Sequence, residues 1–296
     1  MKPVPRSWVV AALLPLLFAD LVGSRAIAEP KNDFRFSILG DRSGAVNPQA
    51  YERVWREVDL LHPDFVINVG DVIQGHDDQL AESEWEEVSR LWARYRYPMY
   101  FTAGNHDVWN ETSRQLYEQV TGRPLSYSFN YQDAHFTVLD NSRSRDLSEQ
   151  QLKFLEEDLK RNQDRSPKFV FLHQPYWIVF LKLGSGEFPL HQLARKYGVN
   201  YVISGHGHQF VRLTRDGIVY LEVGSSGASI GVSAGSDEAF ARGLFCHHVW
   251  VTVKGSRTYF TVKEIDAPYG KGRMFRAEDW YGAGPGADPA RPVVKD

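Results

Sequence analysis

A single cysteine, Cys246, stands among the 296 residues, so no intramolecular disulfide can form and a disulfide scaffold is excluded whatever the compartment. Long basic blocks are missing too. The 34 Lys and Arg against 37 Asp and Glu leave a formal net charge of −3, without the electrostatic footprint of a nucleic-acid-binding surface. An acidic substrate would therefore be held by local charge or by bound cations. No apolar run reaches the roughly 20 residues a spanning helix needs. P-loop and Gly-x-Gly-x-x-Gly patterns are also absent, which removes support for NTPase and dinucleotide-binding readings. What remains is ordinary globular composition, 43% hydrophobic and 24% charged, with ample chain for a core.

The first residues read as an address. Lys2 and Arg6 precede an apolar stretch from Trp8 to Phe18, and Ala26-Ile27-Ala28 offers the small-x-small pattern of a cleavage site. The expectation is a signal peptide over 1–28, a mature start at Glu29, a secreted or periplasmic location and no membrane span after processing.

From Phe34 onward, β-rich runs at Phe34–Leu39, Asp64–Val69, Pro98–Thr102, Lys168–Leu172 and Asn200–Ser204 alternate with helical patterns at Pro48–Leu61, Leu80–Tyr95, Glu111–Thr121, Ser148–Asn162 and Phe188–Tyr197. Such alternation predicts an α/β fold with largely parallel, buried strands. Asn47-Pro48 reads as an N-cap followed by proline at the first helical position, and Ser148 with Gln151 as a capping box. Three hairpins interrupt the parallel pattern: Tyr127–Tyr131 with His135–Leu139, Phe210–Thr214 with Ile218–Val223, and Phe245–Val253 with Thr258–Ile265. A mixed sheet, or two sheets packed face to face between helices, is expected. Gly224–Gly243 reads as a long loop of the kind used as a lid or binding loop, and residues 267–296 as an extended Gly/Pro-rich tail to a domain over 29–266.

Polar clusters stand where the predicted strands end: Gly40-Asp41-Arg42-Ser43-Gly44, Gly70-Asp71, Gly104-Asn105-His106-Asp107, His173 and Gly205-His206-Gly207-His208. Singly, each is an ordinary turn, cap or structural histidine. Jointly they are hard to explain as scaffolding, because ligands of open α/β sheets bind at the carboxyl ends of strands. Their carboxylate, amide and imidazole atoms, without sulfur, suit Zn, Mn or Fe.

On these motifs the chain resembles the calcineurin-like metallophosphoesterases, whose signature runs Asp-x-His, Gly-Asp, Gly-Asn-His-Asp/Glu, His, Gly-His-x-His; the likeness covers about Phe34 to Val223. The resemblance implies a four-layer α/β/β/α sandwich of two packed mixed β-sheets flanked by helices. It implies two divalent or mixed-valence ions (Mn, Zn or Fe), one held by Asp41, Asp71 and His208 and the other by Asp71, Asn105, His173 and His206. It also implies hydrolysis of a small-molecule or macromolecular phosphate mono- or diester by metal-activated hydroxide. His106 would face the substrate and protonate the leaving oxygen, with Asp107 orienting its imidazole. Arg42 is a candidate phosphate contact, the alternatives being an outward surface arginine or a salt bridge.

One position departs from the signature. Ser43 stands where the family has the His of Asp-x-His. The first ion is then weak or absent, or its shell is completed by water or Ser43 Oγ, or a ligand comes from His76, Asp77 or Asp78. A complete pair with altered coordination is the expectation, and a metal-binding but catalytically impaired regulatory protein is the alternative. Gln74 reads as a supporting residue. His62 and His191 read as surface groups of helices, Cys246-His247-His248 as ordinary strand residues, and Tyr176 with Trp177 as an apolar wall for a leaving group.

Overall fold

Alternation at Phe34, Phe36 and Ile38 puts three apolar side chains on one face of a strand, β1 (Asp33–Leu39), and all three are fully buried. The computed structural model describes residues 31–184, 187–231, 235–265 and 270–281; the expected leader lies outside the described residues. After β1 the chain runs through α1 (Pro48–Leu61), β2 (Phe65–Asn68), α2 (Ala81–Trp92), β3 (Met99–Phe101) and α3 (Glu111–Thr121). There follow β4 (Tyr127–Tyr131), β5 (Ala134–Val138), α4 (Glu149–Arg161), β6 (Lys168–Phe171), α5 (Trp177–Leu183), α6 (Pro189–Tyr197) and β7 (Tyr201–Ser204). The remainder is β8 (Phe210–Arg215), β9 (Ile218–Val223), α7 (Asp237–Ala241), β10 (His247–Lys254), β11 (Arg257–Glu264), β12 (Met274–Arg276) and a closing 3₁₀ turn.

The strands form two six-stranded sheets, ordered β12-β11-β10-β1-β2-β3 and β4-β5-β6-β7-β9-β8. Within the first, β1, β2 and β3 are parallel while β10 to β12 run antiparallel. Within the second, β5, β6, β7 and β9 are parallel, and β4 and β8 close the edges as hairpin arms. The sheets pack face to face over an aromatic core in which the Phe36 ring stacks on Phe65 at 4.9 Å and meets Phe136 and Phe169 edge-on, each at 5.6 Å. Truncating such a ring to alanine costs about 3–5 kcal/mol. Trp55, Trp85 and Trp92 pack the first three helices onto the outer face of one sheet, and Trp177, Leu155 and Leu190 pack α4 to α6 onto the other. The result is the expected α/β/β/α sandwich. Among the described residues no helix is long and apolar enough to cross a membrane.

Local signals held unevenly. Asn47 caps α1, its side chain accepting from the Ala50 N–H. Ser148 accepts from the Gln151 N–H, but Gln151 does not complete the box: its amide oxygen turns inward to Ser126 Oγ and the Asp140 N–H. Tertiary hydrogen bonds outcompeted the local one. The tail beyond 267 is not extended throughout, since β12 pairs with β11 and both Phe275 and Trp280 are buried against Phe210. Residues 224–230 are not a free loop either. The Ser226 and Ala228 N–H groups donate to the Asp41 carbonyl at 2.9 and 3.0 Å, and Ser226 Oγ accepts from the Gly40 N–H at 2.8 Å, bracing the first strand end.

Candidate metal centre

Five parallel strands deliver the polar clusters to one end of the sandwich. Asp41 follows β1, Asp71 follows β2, Asn105 and His106 follow β3, His173 follows β6, and His206 and His208 follow β7. Short side chains reach a shared centre because the backbones approach closely. A side chain at Gly104 would collide with the Asp71 carboxylate, and one at Gly70, whose φ is +109°, with the His173 ring. Asp71, His206 and His208 themselves hold positive φ of 57°, 78° and 53°. Such backbone costs of order 1–3 kcal/mol per residue and persists where surrounding structure enforces it.

His173 is fully buried and its Nδ1 donates to the Val69 carbonyl at 2.8 Å, leaving Nε2 to face the cluster. That nitrogen lies 3.2 Å from Asp71 Oδ2 and 3.1 Å from Asn105 Oδ1, and His206 Nδ1 lies 2.9 Å from the same Asn105 oxygen. On the other side of Asp71, His208 Nδ1 donates to the Ser229 carbonyl at 2.9 Å and presents Nε2 to Asp41 Oδ2 at 3.5 Å. Within each trio, Asp71 with His173 and His206, and Asp71 with Asp41 and His208, the ligand atoms lie within 4.8 Å of one another.

Acceptors outnumber donors here, so the pocket demands positive charge. Burial alone would depress the His173 imidazole, yet the carboxylates of Asp71 and Asp41 push it up to about 10. Burial opposes ionisation of Asp71 as well, but His173 and the His106 N–H hold its carboxyl down to about 2. Asp41 is pushed well above the carboxylate range by burial and by Asp71. Burial, reinforced by His173, lowers His206 to about 4, and burial lowers His208. Asp41 Oδ1 and Ser43 Oγ are buried with no hydrogen-bond partner among the described residues. A set of oxygen and nitrogen donors with excess acceptors fits divalent cations, and the six expected ligands Asp41, Asp71, Asn105, His173, His206 and His208 are all brought together.

Other expected roles change. Asp107 does not orient the His106 imidazole. Its two carboxylate oxygens accept from the N–H groups of Asp71, Val72, Ile73 and Gly104 at 2.7–3.2 Å, clamping the β2 and β3 loops to each other. Burial, with repulsion from Asp71, raises Asp107 to about 6. The His106 ring is held instead by the Gln74 carbonyl, 2.5 Å from Nδ1, and Nε2 makes no hydrogen bond among the described residues. Arg42 does not point at the cluster. It is buried, ion-paired to Glu87 on α2, bonded to the Val72 carbonyl at 3.2 Å and stacked over Tyr51, so of the alternatives the salt bridge is the one adopted.

The residues offered as replacements for the missing first-motif imidazole are engaged elsewhere. Asp78 accepts from Trp109 and Asn110, Asp77 from the Gln79 N–H, and His76 lies against His106. Ser43 stays buried, its N–H donating to the Asp71 carbonyl at 3.0 Å. His191, read as a surface group, is fully buried, its ring bonded to Tyr220 Oη at 2.8 Å and Asp216 at 3.0 Å. Trp177 is no wall of the site: it is fully buried and donates to Ser204 Oγ at 2.9 Å. The supporting carbonyls of Val69, Gln74 and Ser229 left no trace in the sequence, since any residue supplies a carbonyl and only the fold aims it.

Residues 17–210 match the family described as calcineurin-like phosphoesterase. The chain is 24% identical over 168 residues to purple acid phosphatase 15 of Arabidopsis thaliana, a stretch covering 46% of this chain and 32% of that protein. It thus spans about a third of this curated relative's length. Among solved structures it is similar to the purple acid phosphatase PPD1 from yellow lupin (Lupinus luteus) seeds, with a TM-score of 0.64 at 16% identity over 83% of this chain and 53% of that one. It is also similar to GAP50, the anchor in the inner membrane complex of Plasmodium, with a TM-score of 0.59 at 16% identity over 83% of this chain and 89% of that one. At these identities the structural likeness concerns the fold.

Proposed function

This chain belongs to the calcineurin-like phosphoesterase family, and from that footing we propose that it is an exported hydrolase of phosphate mono- or diesters dependent on two metal ions. The observation that carries the reading is the convergence of six carboxylate, amide and imidazole ligands, with acceptors in excess, at the carboxyl ends of five strands. Export rests on the charged, apolar and small-residue pattern over 1–28.

Asp71 would be shared between two ions, Asp41 and His208 serving one, and Asn105, His173 and His206 the other. Bound there, divalent cations supply charge neutralisation at phosphoryl oxygens and acidify water. The chain's own residues do the rest. The Gln74 carbonyl fixes the His106 tautomer with the proton on Nδ1, so Nε2 is the atom that carries a proton to the leaving oxygen when the ring is charged. Asp107 keeps the loops bearing Asp71 and Asn105 in register, which is positioning, not proton transfer.

A second reading, a metal-binding but catalytically impaired protein, is favoured by Ser43 alone. Metal analysis of the purified chain, joined to hydrolysis of a chromogenic monoester and diester with added Mn or Zn, separates the two. Bound metal with turnover sustains the hydrolase; bound metal without turnover supports the second reading.

A further inference from the structure

Beside the ligand cluster three rings stand in a row. The His106 and His76 rings meet edge-to-face at 4.8 Å, and the His76 ring lies 5.6 Å from the Trp109 indole at 42°. The row is built, not incidental. Asp78 buckles the β2 and β3 loops together, accepting from Trp109 Nε1 at 3.0 Å and from the Asn110 side chain at 2.9 and 3.1 Å. Gly75, with φ of +64°, is packed so closely that any side chain there would strike the His106 carbonyl and the Trp109 ring. Its N–H is tied to Glu84 on α2 at 2.8 Å. His76 takes up a left-handed backbone, φ 63°, to stand between the other two rings. Yet His76 is exposed and Trp109 only half-buried, so this aromatic surface faces outward from the side of the cluster where His106 meets the leaving group.

None of the three rings is needed to hold a cation, and none belongs to the hydrophobic cores except Trp109 at the margin of one. A flat π-system would stack on or edge against it, a geometry worth about 0.5–1.5 kcal/mol beyond area burial.

We propose that His76 and Trp109 form a leaving-group subsite that selects phosphate esters of aromatic alcohols over those of aliphatic ones. The proposal rests on the hydrolase reading of the adjoining cluster. The direct probe is binding of phenylphosphonate against cyclohexylphosphonate, compared at an alkaline pH where both are dianions so that they match in charge and nearly in size, to the metal-loaded full chain by calorimetry. Phenylphosphonate binds about three- to tenfold more tightly if the row acts as argued. Trp109→Leu and His76→Asn each erode that preference, while Trp109→Phe, which keeps a ring but not the bond to Asp78, retains most of it.

In turnover, an aryl monoester and a fluoroalkyl monoester whose alcohols share one pKa are compared, so that leaving-group chemistry cancels. Trp109→Leu lowers kcat/KM for the aryl ester about three- to tenfold and leaves the fluoroalkyl ester within twofold. Equal binding of the two phosphonates, or equal losses on both esters, overturns the subsite. Failure to hydrolyse either ester while phenylphosphonate is still preferred overturns the hydrolase reading and sustains the subsite.

Discussion

Among the described residues, two histidine–aspartate pairs have both partners buried, and they have opposite characters. Between β4, β5 and α4, His135 and Asp158 are almost wholly buried and form a closed network. Asp158 accepts from His135 at 2.8 Å, Thr137 at 2.7 Å and Ser128 at 2.7 Å, and the second ring nitrogen of His135 meets Asn130 at 2.7 Å. Burial opposes ionisation of Asp158, but its donors prevail and hold the carboxyl below the usual range. At the strand ends, His173 and Asp71 are equally buried but the network is open. Further acceptors from Asn105 and Asp41 crowd the same pocket, and Asp41 Oδ1 has no partner among the described residues. A buried imidazole–carboxylate pair is therefore glue where donors match acceptors, and a candidate cation site where acceptors are in excess.

That contrast is most sharply broken at Asp71. Asp71→Asn removes the carboxylate shared by both trios, and kcat/KM should fall by on the order of 10³–10⁴ with loss of bound metal measured by mass spectrometry. Retained metal and turnover would sink the open-network reading. Asp158→Ala at the closed network should instead cost about 3–5 kcal/mol in denaturant unfolding, because it strands a buried imidazole. Metal stoichiometry should not change; a shift in it would mean the two networks are coupled.

Another buried histidine sharpens the comparison, since no carboxylate is bonded to it among the described residues. His247 donates from Nδ1 to the Phe245 carbonyl at 2.8 Å, and its Nε2 has no partner among the described residues. Burial lowers it from 6.5 to about 4. Between those values the unfolded chain binds the proton and the folded chain does not, so stability is full above about pH 6.5 and declines as pH falls towards 4, by about 3 kcal/mol in all. Unfolding of His247→Phe should show a flatter pH dependence across that window; an unchanged slope would refute the assignment. The smallest of the four effects is that of His106→Ala, which should reduce kcat about a hundredfold while leaving metal content intact. Loss of metal in that variant would make His106 structural.

Much of the architecture could be read in advance. The polar/apolar alternation of β1 and the Asp216-Gly217 turn of the β8–β9 hairpin announced themselves through side-chain pattern and turn chemistry, both local properties. The short α5 and β12 did not. Neither carries a capping side chain or a long period, and β12 exists because β11 offers an edge and Phe275 a place in the core. At the site, the six candidate ligands were legible because each lies within a few residues of a strand end, whereas the fates of Arg42 and Asp107 were not. A charged side chain one residue from a ligand looks the same in sequence whether it turns toward the substrate or toward Glu87 on a helix 45 residues away.

By itself the sequence determined which atoms are available for chemistry and that they lie at strand ends, because hydrophobic periodicity is a property of neighbouring residues. Tertiary structure alone decided which of them face one another. Whether Asp107 grips a ring or four backbone N–H groups, and whether Ser229 offers His208 its carbonyl, depends on partners far along the chain, which only packing brings within hydrogen-bond reach.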